Sequence, residues 1–280
     1  MKRFLLPFFF TLPLQADPIR DFWFNGAEIS SFELSQSRYG KNHPGHAELI
    51  FVTEPFLIAE QVKNESGKPG STDVLKLNAL TTFNTGIYSY RTMTSTFRPI
   101  DLEKFPHALK SNTSVQDWCG QAFQQYNLRG DGWSVQLRSY FEQEADKDFT
   151  LPCTYLEDEL WITLRLDPKK LPTGETQIIP GAIFTRFAHK EIEASTAQAE
   201  LKQSEETSTY SLSYPSLKRT LAISFDTAFP HIIRKWTETT PTGTTTATLK
   251  KRLMNVAYWG MHNPEDAEKR KELGLQPVAD

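Results

Sequence analysis

The most reactive side chains of this chain are two cysteines. Cys119 lies in the stretch TSVQDWCGQAFQQYN, and Cys153 is the other cysteine among the 280 residues. In an oxidising compartment such a pair forms a disulfide, which here would close a loop of roughly 35 residues. A nucleophilic Cys119 would instead need a lowered pKa and a nearby base, for which His107 and His189 are the candidates. The sequence therefore predicts a structural Cys119, bonded to Cys153 or free and buried, with the nucleophile as the remaining alternative.

Carboxylates and histidines form the other groups whose spacing suggests chemistry. Acidic residues alternate between positions 142 and 148 and stand side by side at 157–159. Paired carboxylates can hydrolyse glycosides, although alternating acids are also typical of a solvated face. His43, His46 and Glu48 resemble a metal cluster, but His-Pro-Gly-His has the composition of a turn and no second cluster completes a site. With no phosphate loop or nucleophile elbow in the sequence, we predict no catalytic residue, no metal site and no cofactor.

The N-terminus has the composition of an export signal. Lys2 and Arg3 precede the apolar run FLLPFFFTLPL, and Ala16 offers a small residue for cleavage. Residues 1–16 are therefore predicted to be a signal peptide, with the mature protein exported to the periplasm. No later apolar run reaches the ~18 residues that a membrane helix needs. The net charge of −3 gives no electrostatic support for a nucleic-acid partner.

The elements that must position these groups are mostly strands, because alternation with period two recurs along the chain. We predict a mainly β (α+β) fold with long antiparallel curved sheets, one packed amphipathic helix at Tyr155–Arg165 and a polar C-terminal helix. The first hairpin is expected to turn at residues 42–45. The predicted regions are an N-terminal β-rich region with the helix (17–167), a C-terminal antiparallel meander (168–260) and a polar helical tail (261–280).

Several segments spread over most of the chain carry a family resemblance. They are AEISSFELSQSRYG, AELIFVTEPF, LKLNALTTFNTGIYSY, TSTFRPI, SVQDWCGQ and AYWG. They resemble an uncharacterised family of exported bacterial proteins often labelled "septum formation inhibitor Maf". The Maf family proper is a cytoplasmic nucleotide pyrophosphatase with a Ser-x-Ser-Pro-Arg-Arg segment, which this chain lacks, so the resemblance implies no such activity. The C-terminal half is also similar to the curved sheets of periplasmic lipoprotein carriers, which is an analogy of fold alone.

One helix cannot cover the faces of several long strands, and this imbalance leads to the predicted function. An uncovered apolar sheet face usually marks a binding surface, so we expect an apolar groove, for which Phe184, Phe187 and Trp236 are the ligand-binding candidates. The groove would hold a lipid-like amphipathic ligand or a strand of an envelope partner. Three alternatives stay open: two sheets packed as a sandwich, an exported hydrolase using Cys119 or the acidic residues, and a structural envelope component.

Overall fold

A computed structural model describes residues 18–275, which form one sheet wrapped around a buried helix. The predicted signal peptide lies outside the described residues. The sheet has 16 strands, so the mainly β class is confirmed. The strands are β1 Ala27–Arg38, β2 Lys41–Leu57, β3 Val62–Lys63, β4 Ser71–Thr85, β5 Tyr88–Pro99, β6 Lys110–Gln116, β7 Gln121–Arg129, β8 Gly132–Ser139, β9 Lys147–Pro152, β10 Tyr155–Leu156, β11 Gly174–Ile179, β12 Ser195–Lys202, β13 Thr207–Tyr214, β14 Arg219–Asp226, β15 Ile233–Thr240 and β16 Gly243–Val256. The α-helices are α1 Pro18–Trp23, α2 Glu157–Leu166, α3 Ala182–Phe187 and α4 Glu268–Glu272.

The strands follow one another across the sheet almost in chain order. From one edge the order is β10-β11-β12-β13-β14-β15-β16-β1-β2-β4-β5-β6-β7-β8-β9, with β3 paired to β2 beside this path. The β10–β11 pair is parallel, whereas the other neighbours in this order are antiparallel. The exception to chain order is the pairing of β16 with β1, two strands far apart in the chain, which places Val256 opposite Ala27. The predicted regions 17–167 and 168–260 therefore contribute to one sheet rather than to two.

The sheet curls so far that its two edge strands are consecutive in the chain. β9 ends at Pro152 and β10 begins at Tyr155, so two residues, Cys153 and Thr154, connect the opposite edges. The indole N–H of Trp133 on β8 donates to the Thr154 carbonyl (2.8 Å), which fixes this connection to the sheet. Neighbouring strands are rotated relative to one another, and over many strands this twist makes a sheet curl. The inner face is thereby closed around a central helix.

Helix α2 fills the inside of the curl. Its apolar side chains are fully enclosed, namely Leu160, Ile162, Leu164 and Leu166. The helix predicted at Tyr155–Arg165 thus lies at Glu157–Leu166, where nearly every side chain is buried instead of one face being exposed. It ends at Leu166, because the next residue, Asp167, precedes Pro168 and a residue before proline disfavours helical backbone angles. The helix positions charged groups inside the protein, as described below.

The first hairpin turns earlier than predicted. Residues 42–45 lie inside β2, and the turn is made by Tyr39 and Gly40, whose φ angles are 54° and 71°. A Cβ on Gly45 would lie 2.8 Å from the Cβ of Phe83 on β4. Glycine is therefore needed here for the close approach of the next strand and not for a turn.

The C-terminal segment is anchored to the outer face of the sheet. The predicted polar helix is reduced to the short α4, and residues 276–280 lie outside the described part of the chain. Leu273 and Leu275 follow α4 and are buried against Ala27 and Ile29 of β1. Helix α4 itself is polar and exposed, and the leucines that follow it attach the segment to the sheet. Within residues 18–275 no helix has the length and apolar character needed to cross a membrane.

Candidate functional site

A cavity of about 120 Å³ lies between the inner face of the sheet and helices α2 and α3. Strands from both halves of the chain form its walls, because alternate side chains of each strand point into the curl. Most of the lining is apolar and comes from Leu34, Leu49, Leu77, Trp161, Ile183, Phe184, Leu221 and Trp236. Some lining residues, including Ala79 and Thr81, are only half-buried, so the cavity extends towards the protein surface.

An aromatic cluster forms one wall of the cavity. The ring of Trp236 packs edge-on against Trp161 of α2, with centroids 5.4 Å apart, and against Phe32 at 4.8 Å. Phe184 of α3 lies beneath the guanidinium of Arg219, whose carbon is 4.3 Å from the ring centroid. Two of the three ligand-binding candidates from the sequence, Trp236 and Phe184, therefore line the same cavity.

Phe187, the third candidate, is one turn further along α3 and packs beside the cavity. Its ring meets Phe83 and Tyr90 edge-on, at centroid distances of 6.1 Å and 5.6 Å. Its carbonyl accepts a hydrogen bond from Arg38 at 2.7 Å. The side chain thus fixes the C-terminal end of α3 to β4 and β5 and does not line the cavity.

Hydroxyl groups of neighbouring strands form a polar wall. Thr81, Thr94 and Thr96 line the cavity. Each is hydrogen-bonded to a hydroxyl of the neighbouring strand: Thr81 to Thr92 (2.6 Å), Thr94 to Thr113 (2.9 Å) and Thr96 to Ser111 (2.9 Å). A hydroxyl both donates and accepts, so each member of a pair retains further capacity for a hydrogen bond to a ligand. The cavity therefore has an apolar and a polar side.

One end of the cavity is formed by a buried charged cluster centred on Arg219. Its guanidinium donates two hydrogen bonds to Glu157 of α2, at 2.5 Å and 2.6 Å, and its Nε donates to Glu238 at 2.6 Å. Tyr214 donates to the same Glu157 carboxylate at 2.7 Å. This geometry is the bidentate arrangement that makes arginine–carboxylate pairs strong. The positive charge of Arg219 is therefore fully engaged by two protein carboxylates.

Asp158 lines the cavity beside this cluster without a basic partner. The backbone N–H of Ala182 donates to its Oδ2 at 3.2 Å, and among residues 18–275 no arginine, lysine or histidine forms an ion pair with it. Burial raises the pKa of Asp158 to about 7, and the neighbouring Glu157 charge adds to this rise. Gly181 is needed at this point, because a Cβ there would lie 2.6 Å from Glu157. The carboxyl is thus held in the cavity wall with its proton exchangeable near neutral pH.

Two further buried ion pairs fix α2 against the sheet. Arg98 on β5 donates to Glu159 at 2.8 Å. Arg165 makes two hydrogen bonds of 2.7 Å to Glu28 on β1, and its guanidinium lies 4.5 Å from the ring centroid of Phe51. Removing one partner of such a pair leaves an uncompensated buried charge, which is strongly destabilising. The cavity wall formed by α2 is therefore held rigidly from three sides of the curl.

The sequence pattern did not single out Asp158 or Arg219 as cavity residues. A local signal for Asp158 exists, because three consecutive acids at 157–159 open a helix in which five of the seven remaining residues are apolar. A helix that is apolar all round is buried, so acids on it must be paired or neutral. No local signal marks Arg219, whose role depends on a carboxylate 62 residues away along the chain.

The structure separates the two cysteines, which are both free and exposed. Cys119 precedes β7 at the end of the sheet where β8 finishes, whereas the N–H of Cys153 donates to the Asp131 carbonyl just before β8 begins. The length of β8 therefore separates them, which is roughly 23 Å at about 3.3 Å per residue. Because a disulfide needs Cα atoms within ~7 Å, the predicted intramolecular bridge is wrong for this fold, and so is the alternative of buried thiols.

Each of the two histidines proposed as a base for Cys119 has a carboxylate partner. His107 and His189, the candidate bases for Cys119, lie 3.0 Å from Glu159 and 3.0 Å from Glu144 respectively. The acids between 142 and 148 lie on the β8–β9 connection and at the start of β9, mostly exposed, and none of them lines the cavity. This arrangement agrees with a solvated acidic face.

Comparison with known proteins identifies no family. No protein-family model matches the chain, and no curated protein matches it. Among solved structures, the fold is similar to that of a beta-barrel-like protein of domain of unknown function DUF1849 from Brucella abortus, with a TM-score of 0.49 and 9% identity over 83% of this chain and 99% of that chain. A likeness at this level transfers no site and no activity. The resemblance to an exported bacterial family stays a prediction.

Proposed function

We propose that this protein binds an amphipathic molecule in the cavity between the curled sheet and helices α2 and α3. The observation that carries the proposal is the cavity itself, which joins an aromatic and aliphatic wall to a row of hydroxyls and an unpaired carboxyl. Ligand pockets are typically apolar with a few placed polar groups. A volume of about 120 Å³ is close to that of cavities that hold a benzene-sized group. The site would thus take one ring or the end of an alkyl chain.

The charge balance of the cavity favours a ligand with a cationic or neutral head. Three carboxyl groups, Glu157, Asp158 and Glu238, stand against the single guanidinium of Arg219. Arg219 already donates three of its five N–H groups to the two glutamates, so its charge is compensated within the protein before an anionic head could reach it. An ammonium or hydroxyl group could instead donate to Asp158. A fatty carboxylate would meet like charge in a low-dielectric site, where such repulsion is strong.

The engagement of the polar groups supports a non-catalytic role. Hydrolysis by two carboxylates requires both to face the substrate with room for a water or sugar ring between them. Here Glu157 and Glu238 are both bound by Arg219, which leaves Asp158 as the carboxyl without an ionic partner. The cellular location is proposed from the sequence alone. The predicted signal peptide and the resemblance to exported bacterial proteins support an exported protein of the periplasm and cell envelope.

The proposal is tested by calorimetric titration with hexylamine, hexanol and hexanoate, which share one chain and differ in the head group. At pH 8 we expect binding of the amine and the alcohol, with hexanoate at least roughly tenfold weaker. If all three bind equally, the assignment of the head group is wrong. If none binds, the proposed function is wrong.

A matched pair of variants locates the binding. Ala79 lines the cavity from β4, whereas Ala222 is on the outer face of β14, between two inward-pointing residues. Ala79→Phe should fill the cavity and abolish heat of binding, and Ala222→Phe should bind like the native protein. Equal binding by the two variants would place the ligand elsewhere and contradict the proposal.

A further inference from the structure

The most exposed large apolar side chains gather on one rim of the sheet. Among the described residues, four of the five most exposed are Ile87 (83%), Tyr140 (74%), Trp118 (69%) and Tyr39 (61%). Each lies at or beside the tip of a turn. Ile87 lies between β4 and β5, and Tyr140 follows β8. Trp118 lies between β6 and β7, and Tyr39 between β1 and β2. The pairings of Thr85 with Tyr88, Gln116 with Gln121, Ala122 with Ser139 and Arg38 with Lys41 put all four turns at the same end of the sheet. We call these three aromatic side chains, together with Ile87, the aromatic rim.

Several of these side chains are held in place by contacts below them. The hydroxyl of Tyr39 lies 2.7 Å from that of Tyr90, and the Arg38 guanidinium lies 4.6 Å from the Tyr39 ring centroid. The Tyr140 ring packs over Gly120, where a Cβ would approach it to 2.8 Å. Rings that are already fixed lose little conformational freedom when they bind. The rim is therefore a preformed apolar surface and not a set of disordered tips.

We propose that the aromatic rim docks onto the surface of a lipid bilayer, with its tips inserted at the boundary between head groups and acyl chains. Tryptophan and tyrosine favour this boundary, because one part of each ring system is apolar and another can hydrogen-bond. Hairpin tips on neighbouring strand pairs are about 10 Å apart, so the rim extends over roughly 30 Å as separate convex points. A protein partner would need a continuous complementary patch, whereas a bilayer accepts separate points.

The charges of the same turns indicate which lipid surface fits. The exposed bases beside these turns, Lys41, Arg91 and Lys147, are interspersed with the exposed acids Glu142 and Asp146, so neither sign dominates. The rim therefore has no basic cluster of the kind that draws a protein to anionic lipid. Insertion of apolar side chains should drive docking, and binding should be insensitive to salt and no stronger on anionic vesicles. The surface is independent of the proposed function and stands whether or not the cavity binds a ligand.

The fold places the rim next to the cavity. Phe187 at the end of α3 packs against Tyr90 (5.6 Å between centroids), and Tyr90 contacts Tyr39 of the rim. The other side of α3 contributes Ile183 and Phe184 to the cavity. Docking at the rim would therefore bring a bilayer close to the helix that covers the cavity.

Tryptophan quenching tests the docking surface directly. Trp118 and Trp259 are the two tryptophans with more than half of the residue exposed, and Trp259 (60%) follows β16 at the opposite end of the sheet from the rim. The full chain is mixed with phosphatidylcholine vesicles that carry bromine on the acyl chains, which quench tryptophans that reach them. We expect quenching in the native chain and in Trp259→Ser, and its loss in Trp118→Ser. The apolar run at residues 4–14 is common to all three chains and contains no tryptophan, so it cannot produce this difference.

A second variant measures the contribution of the other tips. Ile87→Ser/Tyr140→Ser retains Trp118, and we expect it to raise the lipid concentration for half-maximal quenching roughly tenfold or more, since two apolar side chains are lost. Near-UV circular dichroism checks that each variant keeps the native fold. Equal quenching by brominated and plain vesicles, or binding that requires anionic lipid and disappears in high salt, would overturn the proposal. Crosslinking of position 118 to a protein without lipid quenching would also overturn it, in favour of a protein partner.

Discussion

Asp158→Asn should change how the stability of this protein depends on pH. Burial in the cavity wall, together with the neighbouring Glu157 charge, raises the pKa of Asp158 from its ordinary 3.8 to about 7. The folded state thus holds the proton more tightly than the unfolded state does. Below pH ~3.8 both states are protonated and Asp158 costs nothing; as pH rises towards 7 the free energy of unfolding falls, and above 7 the whole penalty is present. Asparagine keeps an oxygen that can accept from Ala182 N–H but has no proton to lose.

The size of the effect follows from the same shift. A difference of about 3 pKa units corresponds to roughly 4 kcal/mol at 1.36 kcal/mol per unit, and water entering a partly open cavity reduces this. We expect Asp158→Asn to unfold with a free energy about 2–4 kcal/mol higher than the native protein at pH 8, and with the same free energy at pH 4. Between pH 4 and pH 8 the free energy of unfolding should fall less steeply in the variant than in the native protein.

Urea denaturation at a series of pH values between 4 and 8 measures this directly, with the free energy of unfolding extrapolated to water. Other groups that titrate in this range are common to both proteins and cancel in the difference between them. Parallel profiles for the native protein and Asp158→Asn, with no gain at pH 8, would refute the reasoning, because Asp158 would then ionise as easily in the fold as in water.

Three further predictions concern groups outside the cavity. Glu28→Gln should lower the free energy of unfolding in urea at pH 7 by about 3 kcal/mol, because it leaves the buried Arg165 without its carboxylate. Glu28→Leu/Arg165→Met should lower it by less, because the charge then left without a partner is Arg252, which is partly exposed; a larger loss in the double variant would contradict this. Both thiols, Cys119 and Cys153, should react with Ellman's reagent in the folded protein, and Cys119→Ser/Cys153→Ser should shift the thermal midpoint by less than about 2 °C; a mass two protons lower than the reduced chain would instead indicate a bond. Burial raises the pKa of Glu48 to about 7. Glu48→Gln should therefore stabilise the protein by about 1–3 kcal/mol at pH 8 and have no effect at pH 4. Equal effects at both pH values would argue against a raised pKa.

Local patterns were sufficient for much of the chain. Alternation with period two predicted the mainly β fold, because each strand must bury one side and show the other. The sequence Arg129-Gly130-Asp131-Gly132 forms the turn between β7 and β8, since glycine and aspartate tolerate the backbone angles of a tight hairpin. The Asn42–Gly45 turn failed for a related reason. Glycine and proline also occur inside strands, and only the pairing with Phe83 on the neighbouring β4 shows that Gly45 serves close strand packing.

For the candidate site, the sequence supplied the residue types but not their surroundings. Trp236 and Phe184 were candidates on aromatic character alone, and the curl of the sheet brings them to one cavity while it turns Phe187 aside. Asp158 was one of three adjacent acids, and nothing local distinguishes it from Glu157. The difference arises because Arg219 reaches Glu157 and not Asp158.

The sequence by itself therefore determined the mainly β class and the existence of a helix near residues 157–166, because these depend on neighbours a few residues away. The tertiary structure alone decided that β16 pairs with β1, that one sheet encloses α2, and that Cys119 and Cys153 lie at opposite ends of β8. It also decided the ionisation of Asp158 and the gathering of exposed aromatic tips on one rim. These properties depend on burial and on charges brought together across the chain, and a period-two pattern is the same whichever partners its strands find.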